Sequence, residues 1–227
     1  MRRRTGVTPG GKVRFPGYDV LAQQPTWDPV TAGVVLRRLG PPPSLRFFTP
    51  DEQAAATELL NHLLDQWDEP TVPVLAMIDQ RLTEDSTDGW HYADMPTDED
   101  AWRSTLSFLD EDAKAAHSRR FAEVSRDHQA AVIQAVQDLA GDSGSWHGLP
   151  ASHVWSLWTR YACTAFYAHP WAWNEIGFGG PAYPRGYKNA GLGKREPWER
   201  PERAAHDPVP EVRQSTEERR EQLEARR

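Results

Sequence analysis

The chain has 227 residues, a length typical of one domain or of one domain with long tails. Hydrophobic residues make up 38 % and charged residues 26 %, which indicates a globular centre, and no stretch is long and apolar enough to predict direct membrane insertion. The single cysteine, Cys163, excludes an internal disulfide and a multi-thiolate metal site.

Charge is distributed unevenly along the sequence. Residues 1–50 carry a net charge of +6, whereas residues 51–147 carry a net charge of −15. Because so acidic a centre repels phosphate groups, we expect no nucleic acid among the partners. No apolar stretch of signal-peptide type follows the arginines at positions 2–4. This predicts a cytoplasmic protein, which reaches the periplasm only if a partner's signal carries it there.

The first part of the chain, residues 1–48, is basic and rich in proline and glycine. It also contains Phe15, Tyr18 and Trp27, and a disordered segment rarely carries so much apolar material. We therefore predict an ordered, extended segment, here called the arm, with a short helix around residues 29–39.

Residues 49–193 have the pattern of a helical domain that ends in an aromatic, Gly/Pro-rich segment. Thr49 is a predicted N-cap, followed by Pro50 at the first helical position and by Glu52 as the second half of a capping box. The last helix, with Ser152 as its predicted N-cap, is apolar on more than one face, which is typical of a central, buried helix. Apolar residues at helical spacing predict five helices, over residues 49–67, 72–82, from about 98, about 113–139 and 152–169.

These patterns predict an all-α protein, a bundle of about five helices with extended Pro/Gly-rich wraps at both ends. An acidic loop with Trp90, His91 and Tyr92 follows the second helix. Residues 194–227 are almost entirely polar, which predicts a mobile C-terminal tail.

Residues 169–187, with the sequence HPWAWNEIGFGGPAYPRGY, are here called the aromatic segment. Its prolines and glycines exclude a long helix, and the His169–Pro170 pair is predicted to end the helix before it. Two compatible interpretations stay open: the segment closes this chain's own bundle, or it forms a subunit interface, where Trp, Tyr and Arg are typical anchors. The candidate interface residues are His169, Trp171, Trp173, Asn174, Glu175, Phe178, Tyr183, Arg185 and Tyr187, together with Phe15, Tyr18 and Trp27 in the arm.

No pattern of residues predicts catalytic, cofactor-binding or metal-binding chemistry in this chain. The eight histidines form no His-x-x-x-His motif. No serine lies in a nucleophile-elbow motif, and the sequence identifies no base for Cys163. The alternative of a self-contained small enzyme would place a pocket around His169, Glu175 and Arg185.

Three blocks of sequence resemble the gluconate 2-dehydrogenase subunit 3 family: FFTPDEQAAATELLNHLL at 47–64, VPVLAMIDQRL at 72–82 and TAFYAHPWAWNEIGFGGPAYPRGY at 164–187. The resemblance implies a cofactor-free helical small subunit that binds and stabilises a large glucose-methanol-choline-type flavoprotein. In such a complex the large subunit holds FAD and oxidises a sugar or a related alcohol. A further interpretation is a dedicated assembly chaperone that leaves the flavoprotein after assembly.

Overall fold

The computed structural model describes residues 6–86, 88–188 and 194–200. The chain divides into two compact units, Met1–Tyr187 and Lys188–Arg227. In the second unit, the carboxylate of Glu196 accepts the backbone N–H of Lys188, and the backbone N–H of Glu196 donates to the Glu199 carboxylate over 2.8 Å. From residue 201 onwards, the predicted mobile tail lies outside the described residues.

The described residues of the first unit contain seven α-helices, three short 3-10 helices and one two-stranded antiparallel sheet, which confirms the prediction of an all-α bundle. None of the described helices is long and apolar enough to cross a membrane. The α-helices are α1 (Pro29–Arg37), α2 (Pro50–Leu64), α3 (Val74–Thr83), α4 (Asp98–His117), α5 (Arg126–Gly141), α6 (Ala151–Tyr167) and α7 (Pro170–Ile176). The 3-10 helices span Pro9–Gly11, Val20–Thr26 and Phe121–Glu123, and strands β1 (Ser145–Trp146) and β2 (Leu149–Pro150) pair Trp146 with Leu149.

Helix α2 begins as predicted and ends earlier than predicted. The backbone N–H of Thr49 donates to the Glu52 carboxylate over 2.7 Å, and the Glu52 N–H donates to the Thr49 hydroxyl over 3.4 Å, so the capping box is confirmed. The helix stops at Leu64 because Asp65 adopts a left-handed conformation with φ of 51°. The predicted extension to residue 67 is therefore wrong.

Two predicted helix boundaries in the middle of the chain are also wrong. A single helix, α4, continues to residue 117, where Ser118 ends it with a left-handed φ of 58°. The next helix, α5, begins only after Ser125, whose hydroxyl accepts the His128 N–H. The prediction was wrong because Phe121 continues the apolar spacing of a helix between α4 and α5. In the structure Phe121 is buried in a 3-10 helix. Similarly, α6 begins at residue 151, so Ser152 lies inside the helix and is not its N-cap.

Helix α6 is the centre of the main hydrophobic core. It packs against α2, α3, α4 and α5, and its Trp158 and Tyr161 are almost fully buried. The indole N–H of Trp158 donates to the Thr105 hydroxyl over 3.1 Å, and the Tyr161 hydroxyl donates to the Asp98 carboxylate over 2.6 Å. Burial, and then the Asp98 hydrogen bond, raise the pKa of Tyr161, so this hydroxyl remains a donor. The predicted central, buried helix is confirmed.

The end of the arm is fixed to α3 by one buried carboxylate. Asp79 is 0 % exposed, and its two oxygens accept the backbone N–H groups of Arg46, Phe47 and Phe48 over 2.7, 3.0 and 3.0 Å. These residues immediately precede the N-cap of α2. A residue on α3 therefore sets the position at which the helical bundle begins.

We expect Asp79→Ala to destabilise the protein by about 3 kcal/mol or more, because it leaves three backbone N–H groups without an acceptor. Urea denaturation followed by circular dichroism measures the free energy of unfolding. The matched control is Asp142→Ala, at an exposed position after α5, which we expect to change that free energy by less than about 0.5 kcal/mol. Equal stability of the two variants would contradict the anchoring role of Asp79.

Candidate functional site

The aromatic segment begins with the short helix α7, which the sequence analysis did not predict. His169 is its N-cap, Pro170 occupies the first helical position, and Gly177 ends it with a left-handed φ of 71°. A capping side chain, a proline at the first position and a glycine after the last are the ordinary signals of a short helix. The predicted end of the preceding helix is confirmed, because α6 stops at Tyr167.

His169 joins α7 to the end of α1. Its side chain is buried, Nε2 donates to the Arg38 carbonyl over 2.8 Å, and Nδ1 accepts the backbone N–H of Trp171 over 3.2 Å. These partners require a neutral ring with its proton on Nε2. Burial lowers the pKa of His169 to about 4, which keeps the ring neutral near pH 7. Arg38 in turn donates from Nη1 to the Ala168 carbonyl over 2.7 Å.

Asn174 binds the backbone of two separate parts of the arm. Its Oδ1 accepts the N–H of Val20 over 2.7 Å, and its Nδ2 donates to the carbonyl of Val7 over 2.8 Å. The two arm stretches also bond to each other, since the N–H of Gly6 donates to the Tyr18 carbonyl over 3.0 Å. A Cβ on Gly6 would lie 2.5 Å from Asn174 Nδ2, so a side chain at position 6 would displace the amide.

Three further contacts hold the arm against the aromatic segment. The Tyr18 hydroxyl donates to the Phe178 carbonyl over 2.7 Å, and the Glu175 carboxylate accepts the N–H of Arg14 over 3.3 Å. Arg185 donates from Nη1 to the Thr26 hydroxyl over 2.6 Å and from Nη2 to the Gly179 carbonyl over 3.1 Å. The arm and the segment are thus held together by hydrogen bonds, and the buried Ala172 of the segment also packs in the main hydrophobic core.

The backbone of the segment approaches the aromatic rings of the arm closely at two glycines. Gly177 and Gly180 have φ of 71° and 75°, which glycine adopts without strain. A Cβ would lie 2.9 Å from the ring of Phe15 at the first position and 2.8 Å from the ring of Trp27 at the second. Alanine would therefore push the arm away at either position.

The candidate interface residues divide into a buried and an accessible group. His169, Trp173, Asn174, Tyr18 and Trp27 are each less than 10 % exposed, and the last four contribute to the contacts between arm and segment. Their role in a subunit interface is untested and stays a prediction. Phe178, Tyr183 and Tyr187 are 42 %, 68 % and 62 % exposed, whereas Phe15, Trp171, Glu175 and Arg185 are half-buried.

Two further exposed side chains were not among the candidates predicted from the sequence. Tyr167, the last residue of α6, and Ile176, the last residue of α7, are 48 % and 44 % exposed. The backbone carbonyl of Tyr167 accepts the indole N–H of Trp173 over 2.6 Å, and the Trp173 ring packs edge-on against Phe178 at 5.5 Å. The available signal was their position, since Tyr167 lies two residues before the segment and Ile176 lies within it. We use the name exposed aromatic face for five exposed side chains, four aromatic and one aliphatic: Tyr167, Ile176, Phe178, Tyr183 and Tyr187.

The three residues of the alternative enzyme pocket bind different structural partners. His169 binds the Arg38 carbonyl, Glu175 binds the Arg14 N–H, and Arg185 binds Thr26 and Gly179. Each polar side chain is thereby engaged in holding the arm. Over the described ranges, no group of three or more His, Cys, Asp or Glu side chains is arranged to hold a metal ion.

We expect Asn174→Ala to release the arm, because the buried N–H of Val20 and the partly buried carbonyl of Val7 both lose their partner. The expected cost is about 2–4 kcal/mol in the free energy of unfolding. Hydrogen–deuterium exchange should become faster over residues 6–28 and stay unchanged in α6. Asn61→Ala, at a half-buried position on α2, is the control. Unchanged exchange of residues 6–28 in the Asn174 variant would contradict the role of Asn174 in holding the arm.

We expect His169 to make stability depend on pH. Its pKa falls from the ordinary 6.5 to about 4 on folding, so only the unfolded chain takes up the proton between those values. The stabilisation is complete above pH 6.5 and is lost as the pH falls towards 4, with a loss of roughly 2 kcal/mol at about pH 5.

Urea denaturation at about pH 7.5 and about pH 5 tests this dependence. His169→Asn keeps a capping acceptor without titrating, so its stability should fall less between the two pH values than that of the unaltered chain. His91→Asn, at an exposed position, should retain the full dependence. The same pH dependence in both variants would rule out His169 as its source.

Comparison with known proteins supplies one match. The family model described as gluconate 2-dehydrogenase subunit 3 matches residues 50–180, which is more than half of the chain. No curated protein and no solved structure gives a significant match. The matched range contains α2 to α7 and ends inside the aromatic segment at Gly180, the glycine that packs against Trp27. The chain therefore belongs to the gluconate 2-dehydrogenase subunit 3 family.

Proposed function

We propose that this chain is a non-catalytic small subunit that binds and stabilises a large FAD-dependent dehydrogenase of a sugar or a related alcohol. Family membership carries the proposal, because the family is defined as a subunit of gluconate 2-dehydrogenase and a subunit requires a partner. The partner is a glucose-methanol-choline-type flavoprotein, which holds FAD and performs the hydride transfer. The role of this chain is to supply contact surface.

The exposed aromatic face supports the proposal, because its side chains are accessible to a partner. Phe178 and Tyr183 lie on it, and large aromatic side chains are typical anchors of protein interfaces. The backbone beneath Phe178 is fixed, since its carbonyl accepts the buried Tyr18 hydroxyl over 2.7 Å. A surface that is ordered before binding loses less conformational entropy when the partner docks.

The buried half of the segment serves the same function indirectly. Trp173 is 5 % exposed and lies between the Tyr167 carbonyl and the Phe178 ring. Replacing it would disturb the arm and the exposed aromatic face together, so loss of partner binding in a Trp173 variant could not be assigned to a lost contact. A test of the interface therefore has to alter exposed residues.

We expect the double substitution Phe178→Ser and Tyr183→Ser to lower recovery of the flavoprotein at least ~10-fold, because two anchors are removed. The measurement is affinity purification of the tagged chain from its native host, followed by intact mass and the visible absorption spectrum. The unaltered chain should bring down a yellow complex that contains a second, larger chain.

The matched control is Trp90→Ser, which removes an exposed aromatic ring from the loop between α3 and α4 and should leave flavin recovery unchanged. Circular dichroism of each variant verifies that the chain is folded. A colourless, lone chain from the unaltered protein would contradict the proposed function. A large chain found only with newly made protein, and absent from the mature complex, would instead identify an assembly chaperone.

A further inference from the structure

A groove separate from the exposed aromatic face lies between the end of α1 and α3. It has a volume of about 520 Å³, and its walls include Arg37, Arg38 and Val34 on one side and Met77, Gln80 and Glu84 on the other. The prolines at positions 41–43 form the rim between them. Proline fixes its own backbone angle, so this rim is rigid. We call this cavity the arginine groove.

The exposed Arg37 and the half-buried Arg38 bring positive charge to the groove, and no carboxylate in the described part of the chain pairs with either. Among the described residues, neither guanidinium has an acidic oxygen within 4.0 Å. The Arg38 guanidinium instead donates to the Ala168 carbonyl over 2.7 Å and lies 5.9 Å from the Trp173 ring centre. Burial lowers the pKa of Arg38, as expected for a cation that has lost water and gained no counter-charge.

The remaining charges around the groove are already paired. Arg81 binds the Asp88 carboxylate and donates to the Ser86 carbonyl over 2.6 Å. Glu84 accepts from Gln80 over 2.8 Å and lies 4.0 Å from Arg46. The unbalanced charge therefore belongs to Arg37 and Arg38, while Glu84 on the opposite wall disfavours a ligand with several negative charges.

We propose that the arginine groove binds a carboxylate group against Arg37 and Arg38. A guanidinium presents a planar fork of donors that matches the two oxygens of a carboxylate. The apolar walls formed by Val34, Met77 and the prolines accept the carbon chain that carries the acid, and the volume lies within the range of small-ligand sites. The carboxylate belongs either to a free small acid or to an Asp or Glu side chain of the partner subunit. The second source rests on the proposed function.

Arg38 connects the arginine groove to the aromatic segment. The same side chain contacts the Ala168 carbonyl and the Trp173 ring, and the Arg38 carbonyl accepts His169 Nε2–H. A carboxylate would return a counter-charge to this guanidinium and so stabilise the junction of α1 with α7. Ligand binding should therefore raise the melting temperature of the chain.

The first part of the test measures the binding of free acids to the full-length chain. Sodium acetate and sodium gluconate are titrated at constant ionic strength, with sodium chloride as the reference, and affinity is read from calorimetry and thermal shift. We expect Arg37→Gln to weaken binding ~10-fold, the loss of one charge-assisted hydrogen bond, and Arg37→Lys to recover part of it. Arg119→Gln, the same change at an exposed position outside the groove, should have no effect.

The second part of the test measures flavoprotein recovery with the same variants. If free acids do not bind but Arg37→Gln lowers flavoprotein recovery ~10-fold and Arg119→Gln does not, the partner supplies the carboxylate. If Arg37→Gln changes neither acid binding nor recovery, the proposal is overturned. The proposed function fails separately, because it requires loss of recovery in the Phe178 and Tyr183 double variant, whatever the groove binds.

Discussion

The hydrogen bonds of the Asn174 amide are the interaction on which the arrangement of the arm depends. One side chain satisfies the buried backbone N–H of Val20 and the partly buried backbone carbonyl of Val7. Buried backbone groups need partners, and an irregular segment cannot supply them as a helix or a sheet does. Without this amide those groups would lose their partner, and Tyr18 and Trp27 would separate from Trp173, with which they form a small second hydrophobic cluster.

Buried polar side chains also bind backbone groups at three other connections between helices. Asp79 accepts three consecutive backbone N–H groups before α2, and the Gln66 amide binds both the N–H and the carbonyl of Val72 over 2.7 and 3.2 Å before α3. His169 does so between α1 and α7. Each of these side chains is buried and replaces a missing backbone partner. Two of the four side chains, those of His169 and Asn174, were candidate interface residues, and both bind backbone groups of the arm.

This explains which features could be predicted from the sequence. The capping box at Thr49 and the apolar faces of α6 depend on residues within a few positions, so local patterns indicated them correctly. The arm was predicted to be ordered from its apolar content alone, and α1 lies where a short helix was expected. The candidate site could be delimited as a segment, since its aromatic residues and glycines are close in sequence, and its role as an interface stays a prediction.

What could not be predicted depends on partners far away in the chain. Val20 and Asn174 are 154 residues apart, and no spacing rule relates them. The split of the aromatic segment into buried and exposed residues follows from that pairing, since Tyr18 and Trp27 cover one side of it. The end of α4 at Ser118 was missed for a different reason: the apolar spacing continued through Phe121 although the backbone had already turned.

The family match includes only one side of the contacts between the arm and the aromatic segment. It begins at residue 50, so the arm that Asn174 binds lies outside the matched range, while Asn174 itself lies inside it. A chain limited to residues 50–180 would leave the Asn174 amide and the Trp173 ring uncovered, in the region next to the exposed aromatic face. The arm thus supplies the backbone and aromatic partners that cover this part of the segment.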